Sequence, residues 1–387
     1  MSSGVENVLV LQGGGSLGAF GCGVLKALAN SKVNIDIIAG TSIGGVNASI
    51  IAGSKEDHPE KALEQYWLEL AEGSNTYRNS SSVPWLDGSL VSTSDHTSVT
   101  HIAQAKSILA FYSSAIYGND KIFIPRWKPE YSLTDPQYFT PHKWTFLFDH
   151  SPLVKSLEKY VDFNKLQPSG KPNARLIITA VNVLTAEPLI FDSSKQQITS
   201  KHILATTGYP RYYFQWVEVE KGVFAWDGSL LSNTPLRECI DVSPVKDKRI
   251  FLVENYPKNI ERLPDHLLEA EHRARDIMFS DKTLHSVQMS KAITYYLRFI
   301  DEIYHMLENH FNSENKEEKD KLEKIRIKYK KISEEHGAEI KGVYYITRTE
   351  PFPYLYENAD FSVETIKSSI KDGELKTKEI LKDIKMS

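Results

Sequence analysis

Ser42 stands in Gly40-Thr41-Ser42-Ile43-Gly44, between a short apolar run and a stretch of small residues suited to a helix. A serine at a tight strand-to-helix turn presents its hydroxyl at the end of a sheet, beside the positive end of the helix that follows. A nucleophile needs that placement. Gly40 and Gly44 relieve crowding where the backbone bends sharply. The five-residue pattern is weak by itself, because a plain turn with Ser42 as a helix cap would read the same. Its position directly after Ile35 to Ala39 and ahead of Gly45, Ala48 and Ser49 strengthens it.

A second glycine cluster, Gln12-Gly13-Gly14-Gly15-Ser16-Leu17-Gly18-Ala19, ends the first apolar run. Three successive glycines let backbone N–H groups converge with no side chain between them, and the next helix adds its dipole. In acyl transfer such a loop binds the developing oxyanion, each well-placed donor contributing about 10²–10³ in rate. Gly13-x-Gly15-x-x-Gly18 also satisfies the dinucleotide fingerprint, with Asp36 about where a ribose-binding acid is sought. That acid belongs at the carboxyl end of the second strand, whereas Asp36 opens it and Gly40-Thr41-Ser42 holds the other end. Dinucleotide binding is thus the remote alternative, and no cofactor or metal is expected.

The base is harder to place. Of the twelve histidines, His266, His272, His285, His305, His310 and His336 lie late in the chain, in segments that read helical. A Ser-His-Asp hydrolase would carry its histidine in a late loop and several strands before the serine turn. Here one strand precedes it. A carboxylate must serve instead, and Asp227 in Trp226-Asp227-Gly228-Ser229-Leu230 is the candidate, at the end of a hairpin strand. Near its ordinary pKa of about 3.9 an aspartate is a feeble base. Burial beside the serine would raise it into a useful range. Trp85-Leu86-Asp87-Gly88-Ser89-Leu90 repeats the string but follows a serine run and no strand, so it reads as a turn.

These residues need a scaffold of alternating strands and helices. Asn7 to Leu11 and Ile35 to Ala39 read as strands, with helices after each and another from His58 to Glu72. Such alternation predicts a mainly parallel sheet covered on both faces. Leu153 to Tyr160 reads as a helix, Leu176 to Val183 as a central strand, and Leu189 to Phe191 as its neighbour. Phe214 to Val219 and Val223 to Trp226 form a hairpin around Glu220-Lys221-Gly222. Arg249 to Val253 is a further buried strand. Leu263 to Gly337 reads helical with one break at Asn312-Ser313-Glu314-Asn315. Gly342 to Arg348 follows as a late strand and a helical tail begins at Val363.

Residues 1–73 and 142–260 are therefore expected to form the core, 74–141 an insertion, and 261–387 a mainly helical region packed on it. The insertion carries Trp85, Phe111, Tyr112, Tyr117, Phe123, Trp127 and Tyr131, which suit a small core of their own better than a lid or a membrane-docking face.

The chain of 387 residues has a formal charge of -4, which gives no basic face for nucleic acid. Two cysteines, Cys22 and Cys239, make neither a disulfide framework nor a metal site by spacing, and fit a reducing compartment. No secretory signal and no apolar run long enough to span a bilayer is visible. A cytoplasmic location, with at most peripheral contact at a membrane surface, is the expectation.

Gly13-Gly14-Gly15-x-x-Gly18, Gly40-x-Ser42-x-Gly44 and Asp227-Gly228, in that order, resemble the patatin-like phospholipase family, closest to prokaryotic members with a longer C-terminal helical region. Phe148-Asp149-His150-Ser151-Pro152-Leu153 and Ala180-Val181-Asn182-Val183 add to the likeness, which covers roughly residues 7 to 280. The resemblance implies a three-layer α/β/α fold, a dyad of Ser42 and Asp227 without histidine, and hydrolysis of lipid acyl esters without metal. Three positions depart from the family pattern. Leu17 stands where many relatives carry a basic residue, and Ser229 where glycine or alanine is common. Thr206-Thr207-Gly208-Tyr209-Pro210-Arg211-Tyr212-Tyr213-Phe214-Gln215 replaces a stretch that often starts with alanine, and its bulky tyrosines could reshape the acyl pocket. If they block it, the alternative is a patatin-shaped protein that binds lipid or a partner without turnover.

Overall fold

In the computed structural model the chain is described at residues 4–73, 110, 112–244, 246–280, 282–310, 316–336, 338–350 and 357–386. Eight strands form one sheet: β1 (Glu6–Leu11), β2 (Ile37–Gly40), β3 (Arg175–Asn182), β4 (Pro188–Asp192), β5 (Val217–Glu220), β6 (Val223–Asp227), β7 (Lys248–Glu254) and β8 (Ile340–Thr347). The order is β8-β7-β1-β2-β3-β6-β5, with β4 also paired to β3. From β8 to β3 every pairing is parallel, while β4 and β6 run antiparallel to β3.

Alternation along the strands divides the core in two. Leu9, Leu11, Ile38 and Phe251 face one side, where helices α1 (Ala19–Asn30), α2 (Ile43–Ala52), α3 (Pro59–Glu72) and a long C-terminal helix pack. Val8, Val10, Ile37, Ala39, Ile250 and Leu252 face the other, against Leu236, Cys239 and Val287. Each leucine, isoleucine, valine or phenylalanine among them, once fully buried, contributes about 1.5–3 kcal/mol. The result is a three-layer α/β/α arrangement with a mostly parallel sheet.

Further along the chain, α4 (Pro152–Tyr160), α5 (Ser200–Thr207) and α6 (Leu236–Asp241) are followed by α7 (Leu267–Phe279), α8 (Leu284–His310), α9 (Lys316–His336) and α10 (Val363–Met386). The expected helical stretch after Leu263 is thus already interrupted between Phe279 and Leu284, while the break expected at residues 312–315 lies outside the described residues. Several expected boundaries shift by small amounts, the first hairpin strand running Val217–Glu220 rather than Phe214 to Val219. The second strand begins at Ile37 and includes Gly40, and the late strand begins at Ile340.

The segment after residue 260 is more than an appendage. Its strand β8 forms one edge of the sheet on β7, and α10 lies against α1 so closely that a Cβ on Gly23 would fall 1.9 Å from the Ile370 carbonyl oxygen. Of the aromatics expected in the insertion, Trp85 and Phe111 lie outside the described residues. Phe123 packs edge-on against both Phe148 and Phe214, Trp127 also meets Phe148, and the Tyr131 hydroxyl donates to Asp149. Tyr112 and Tyr117 are exposed.

Candidate active site

The sheet pairing explains how residues 185 positions apart meet. Ile177 and Ile178 pair with β2 on one edge of β3 and with β4 on the other. Ala180 pairs with Leu189 of β4 and with Asp227 of β6. Strands β2 and β6 therefore share one edge of β3 and run toward each other. The first ends at Gly40 opposite Ile178, the second at Asp227 opposite Ala180. Thr179 sits at the gap between the two strand ends.

At that gap the chain turns sharply out of β2. Ser42 has φ 57° and ψ −131°, a region few non-glycine residues occupy and one that costs of order 1–3 kcal/mol. The turn is braced on all sides. Ser42 N–H donates to Thr206 Oγ1 at 2.9 Å, Thr206 Oγ1 donates to the Thr179 carbonyl at 2.7 Å, and the Thr41 and Thr179 hydroxyls lie 2.7 Å apart. A Cβ on Gly40 would meet the Gly44 carbonyl oxygen at 2.1 Å, and one on Gly44 the Leu11 oxygen at 2.3 Å, so both positions exclude any side chain. Ser42 is the N-cap of α2, yet its side chain makes no capping bond. The plain-turn interpretation, with Ser42 as a capping serine, therefore fails. Helix α2 itself, Ile-Gly-Gly-Val-Asn-Ala-Ser-Ile-Ile-Ala, has poor intrinsic helix propensity. All ten of its residues are buried, and burial holds the helix.

Asp227 is completely buried. Its Oδ1 accepts hydrogen bonds from Ser229 N–H at 2.9 Å and Ser229 Oγ at 2.8 Å. Its Oδ2 is buried with no hydrogen bond of normal geometry among the described residues. Burial pushes the Asp227 carboxyl up to about 6, against the opposing pull of Ser229 and of the nearby Ser42 hydroxyl. Gly228 fits only as glycine, since a Cβ would come 2.7 Å from the Thr179 carbonyl oxygen.

The glycine loop closes the third side. A Cβ on Gly13 would lie 2.8 Å from Ser42 Cβ, so the loop runs directly beside the serine. Gly13 N–H donates to Asn233 Oδ1 at 3.1 Å. Among the described residues the N–H groups of Gly14 and Gly15 have no acceptor. Gly14 and Gly15 adopt φ 150° and φ 58°, which glycine tolerates. Gly18 ends the loop against the Ile43 side chain, and its carbonyl accepts from Asn47 Nδ2 at 2.8 Å.

The spacing of motifs did not reveal the residues that hold this loop. Asn233 donates through Nδ2 to the Phe279 carbonyl at 3.0 Å. Asn255 takes both the Gln12 and Gly13 carbonyls, each at 3.1 Å, and its own N–H donates to Gln12 Oε1. Asn255 stands just past the carboxyl end of β7, where ligand sites of parallel sheets form, and that position was the available signal. Leu17 joins Tyr209, Tyr256 and Phe279 in a small buried cluster. Of the three tyrosines expected to crowd the pocket, Tyr209 is buried there, while Tyr212 and Tyr213 are exposed.

No histidine hydrogen-bonds Ser42 or Asp227 among the described residues. His150 is buried edge-on against Phe214, its ring 3.8 Å from a Cβ built on Gly208. Burial pushes it down to about 4, and neither ring nitrogen has a partner of normal geometry. The competing Asp87 lies outside the described residues. Asp36, sought for a ribose, accepts from the Asn7 N–H at 2.8 Å at the wrong end of β2. His272, Asp276, Glu350 and Glu357 bring donor atoms within 4.8 Å of one another. Arg275 and Arg348 already pair with their carboxylates, and two guanidinium groups would repel a metal ion. Burial pushes both Cys22 and Cys239 up, which keeps their thiols unreactive.

The family described as patatin-like phospholipase matches residues 9–240, well over half of the chain. The chain belongs to the patatin-like phospholipase family. Patatin-like phospholipase domain-containing protein 7 of Mus musculus is 38% identical over 69 residues, a match spanning 18% of this chain and 5% of the mouse protein. Among solved structures, VipD from Legionella pneumophila aligns over 98% of this chain and 67% of its own, at 14% identity and a TM-score of 0.37. The type III effector ExoU aligns over 99% and 56%, at 10% identity and 0.31. No helix among the described residues is long and apolar enough to cross a membrane.

Proposed function

We propose that this patatin-family chain is a serine acyl hydrolase acting on lipid acyl esters with a Ser42–Asp227 dyad. The reading is carried by one observation: a serine with a strained backbone, whose hydroxyl is not spent on capping its helix, interacts with the fully buried carboxyl of Asp227. Asp227 accepts the Ser42 proton as the hydroxyl attacks the ester carbonyl. The Gly14 and Gly15 N–H groups, with α2's positive end, stabilise the tetrahedral oxyanion. Gly13 is occupied by Asn233 and serves to keep the loop against Ser42. The alcohol leaves with the proton, and water, deprotonated by the same aspartate, releases the fatty acid from Ser42. Asp227's raised pKa suits this role, since a base near 6 is ionised at neutral pH yet far stronger than an exposed aspartate.

A fluorophosphonate probe and an acyl p-nitrophenyl ester test the proposal together. Wild type should label at one serine and release p-nitrophenol, and Ser42→Ala should do neither. Unlabelled wild type would mark a lipid-binding protein without turnover. Near-normal hydrolysis by Ser42→Ala would place the chemistry elsewhere.

A further inference from the structure

The short helical turn Glu357–Ala359 lies on the glycine loop from outside the catalytic sheet. A Cβ on Gly15 would fall 2.2 Å from the Asn358 carbonyl oxygen, and Ser16 Oγ donates to the Glu357 carbonyl at 2.8 Å. Both contacts are made by backbone atoms of residues more than 340 positions away. The Asn358 side chain reaches across to the Tyr212 hydroxyl at 3.1 Å.

What holds this turn in place is ionic and buried. Glu357 Oε1 accepts from Arg275 at 3.0 Å and Arg348 at 2.7 Å. Arg348 also donates to Glu350 at 3.0 Å and, through Nε, to the Asn255 carbonyl at 3.0 Å. Asn255 in turn carries the Gln12 and Gly13 carbonyls. Arg275 lies over the Tyr256 ring, and the Tyr256 hydroxyl would lie 3.3 Å from a Cβ on Gly14. Arg275 and Asp276 bind His272, whose other partner is Glu350. The loop is therefore gripped twice, directly through Ser16 and indirectly through Arg348 and Asn255.

We propose that Glu357–Ala359 is a strap that fixes the oxyanion loop, with Glu357, clamped by Arg275 and Arg348, as its positioning residue. This rests on the acyl-hydrolase assignment for its catalytic consequence, though not for its structural one. The oxyanion forms only in the transition state, so displacement of the Gly14 and Gly15 donors lowers kcat and leaves KM nearly unchanged. It makes turnover depend on the C-terminal segment.

Ser16→Ala removes one neutral bond between strap and loop. Glu357→Gln keeps the shape but loosens the clamp. Each full-length variant is read by hydrogen exchange and by ester kinetics. Exchange at residues 13–17 should rise while strands β1 and β7 stay protected, and kcat should fall about tenfold with KM within about twofold. Unchanged exchange at residues 13–17 in both variants overturns the strap, and so does an increase spread evenly over the sheet. A faster-exchanging loop with unaltered kcat overturns its catalytic role. Wild type that fails to label with the fluorophosphonate refutes the hydrolase assignment separately, and exchange still decides the strap.

Discussion

Ser229 is the position at which the proposed dyad can be tuned without being removed. Its N–H and its hydroxyl both donate to Asp227 Oδ1, and both favour the charged carboxylate over burial's opposing push. Ser229→Ala deletes the hydroxyl and keeps the N–H. A hydrogen bond to a charged group contributes about 1.5–3 kcal/mol when fully buried. Ser229 is half-buried, so water recovers part of this, and a rise of about one pKa unit remains. The active form is the ionised one, so activity falls as pH drops through the Asp227 pKa. The acid limb of kcat/KM should move from about 6 in wild type to about 7 in the variant. At pH 5.5 that is a loss of about eightfold, whereas at pH 8 both proteins are almost fully ionised and differ by less than about twofold. Ser229→Thr, which retains a hydroxyl, should keep the wild-type limb. An acid limb that stays fixed in a folded Ser229→Ala protein would show that Asp227 is not the titrating base.

Two further outcomes follow from the same geometry. Asp227→Asn should abolish turnover but stabilise the fold at neutral pH. The native carboxyl titrates near 6 rather than 3.8, so the native state binds the extra proton between those values and stability falls as pH rises through that window. The shift corresponds to an order of 3 kcal/mol, so thermal unfolding should favour the variant at pH 7.5 and converge with wild type near pH 4. A variant that is less stable at both pH values would contradict the buried, raised carboxyl. His150→Phe should retain kcat/KM within about threefold, because the ring already packs as an aromatic and neither nitrogen makes a hydrogen bond of normal geometry. Loss of activity in a folded His150→Phe protein would restore histidine to the mechanism.

Ser42, Asp227 and the glycine loop were legible because each is a local string whose residue types are dictated by backbone crowding. Gly40, Gly44 and Gly228 abut carbonyl oxygens that leave no room for a Cβ, and such demands are written in the residues themselves. The meeting of Ser42 with Asp227 was not local. It depends on β2 and β6 ending head to head on one edge of β3, and strand pairing of that kind leaves no periodic trace. The holders of the loop escaped for the same reason. Asn233 and Asn255 act on residues more than 200 positions away, and the sequence around each reads as an ordinary loop. The interruption after Phe279 carries only the short polar run Ser280-Asp281-Lys282-Thr283, with no glycine or proline to mark it.

The departures from the family pattern complete the site. Thr206, where alanine is common, supplies the hydroxyl that takes the Ser42 N–H and passes a bond to Thr179, so it braces the strained turn from below. Ser229, in place of glycine or alanine, adds a second donor to Asp227. Leu17, where a basic residue is frequent, buries itself with Tyr209, Tyr256 and Phe279, beside the ring that Arg275 covers. A lysine or arginine at that point would put a charge into this buried apolar cluster, which is costly. The loop of this protein is accordingly steadied by an apolar contact, two asparagines and a C-terminal strap. Leu17→Lys should therefore lower the melting temperature, and an unchanged Tm would contradict the apolar contact.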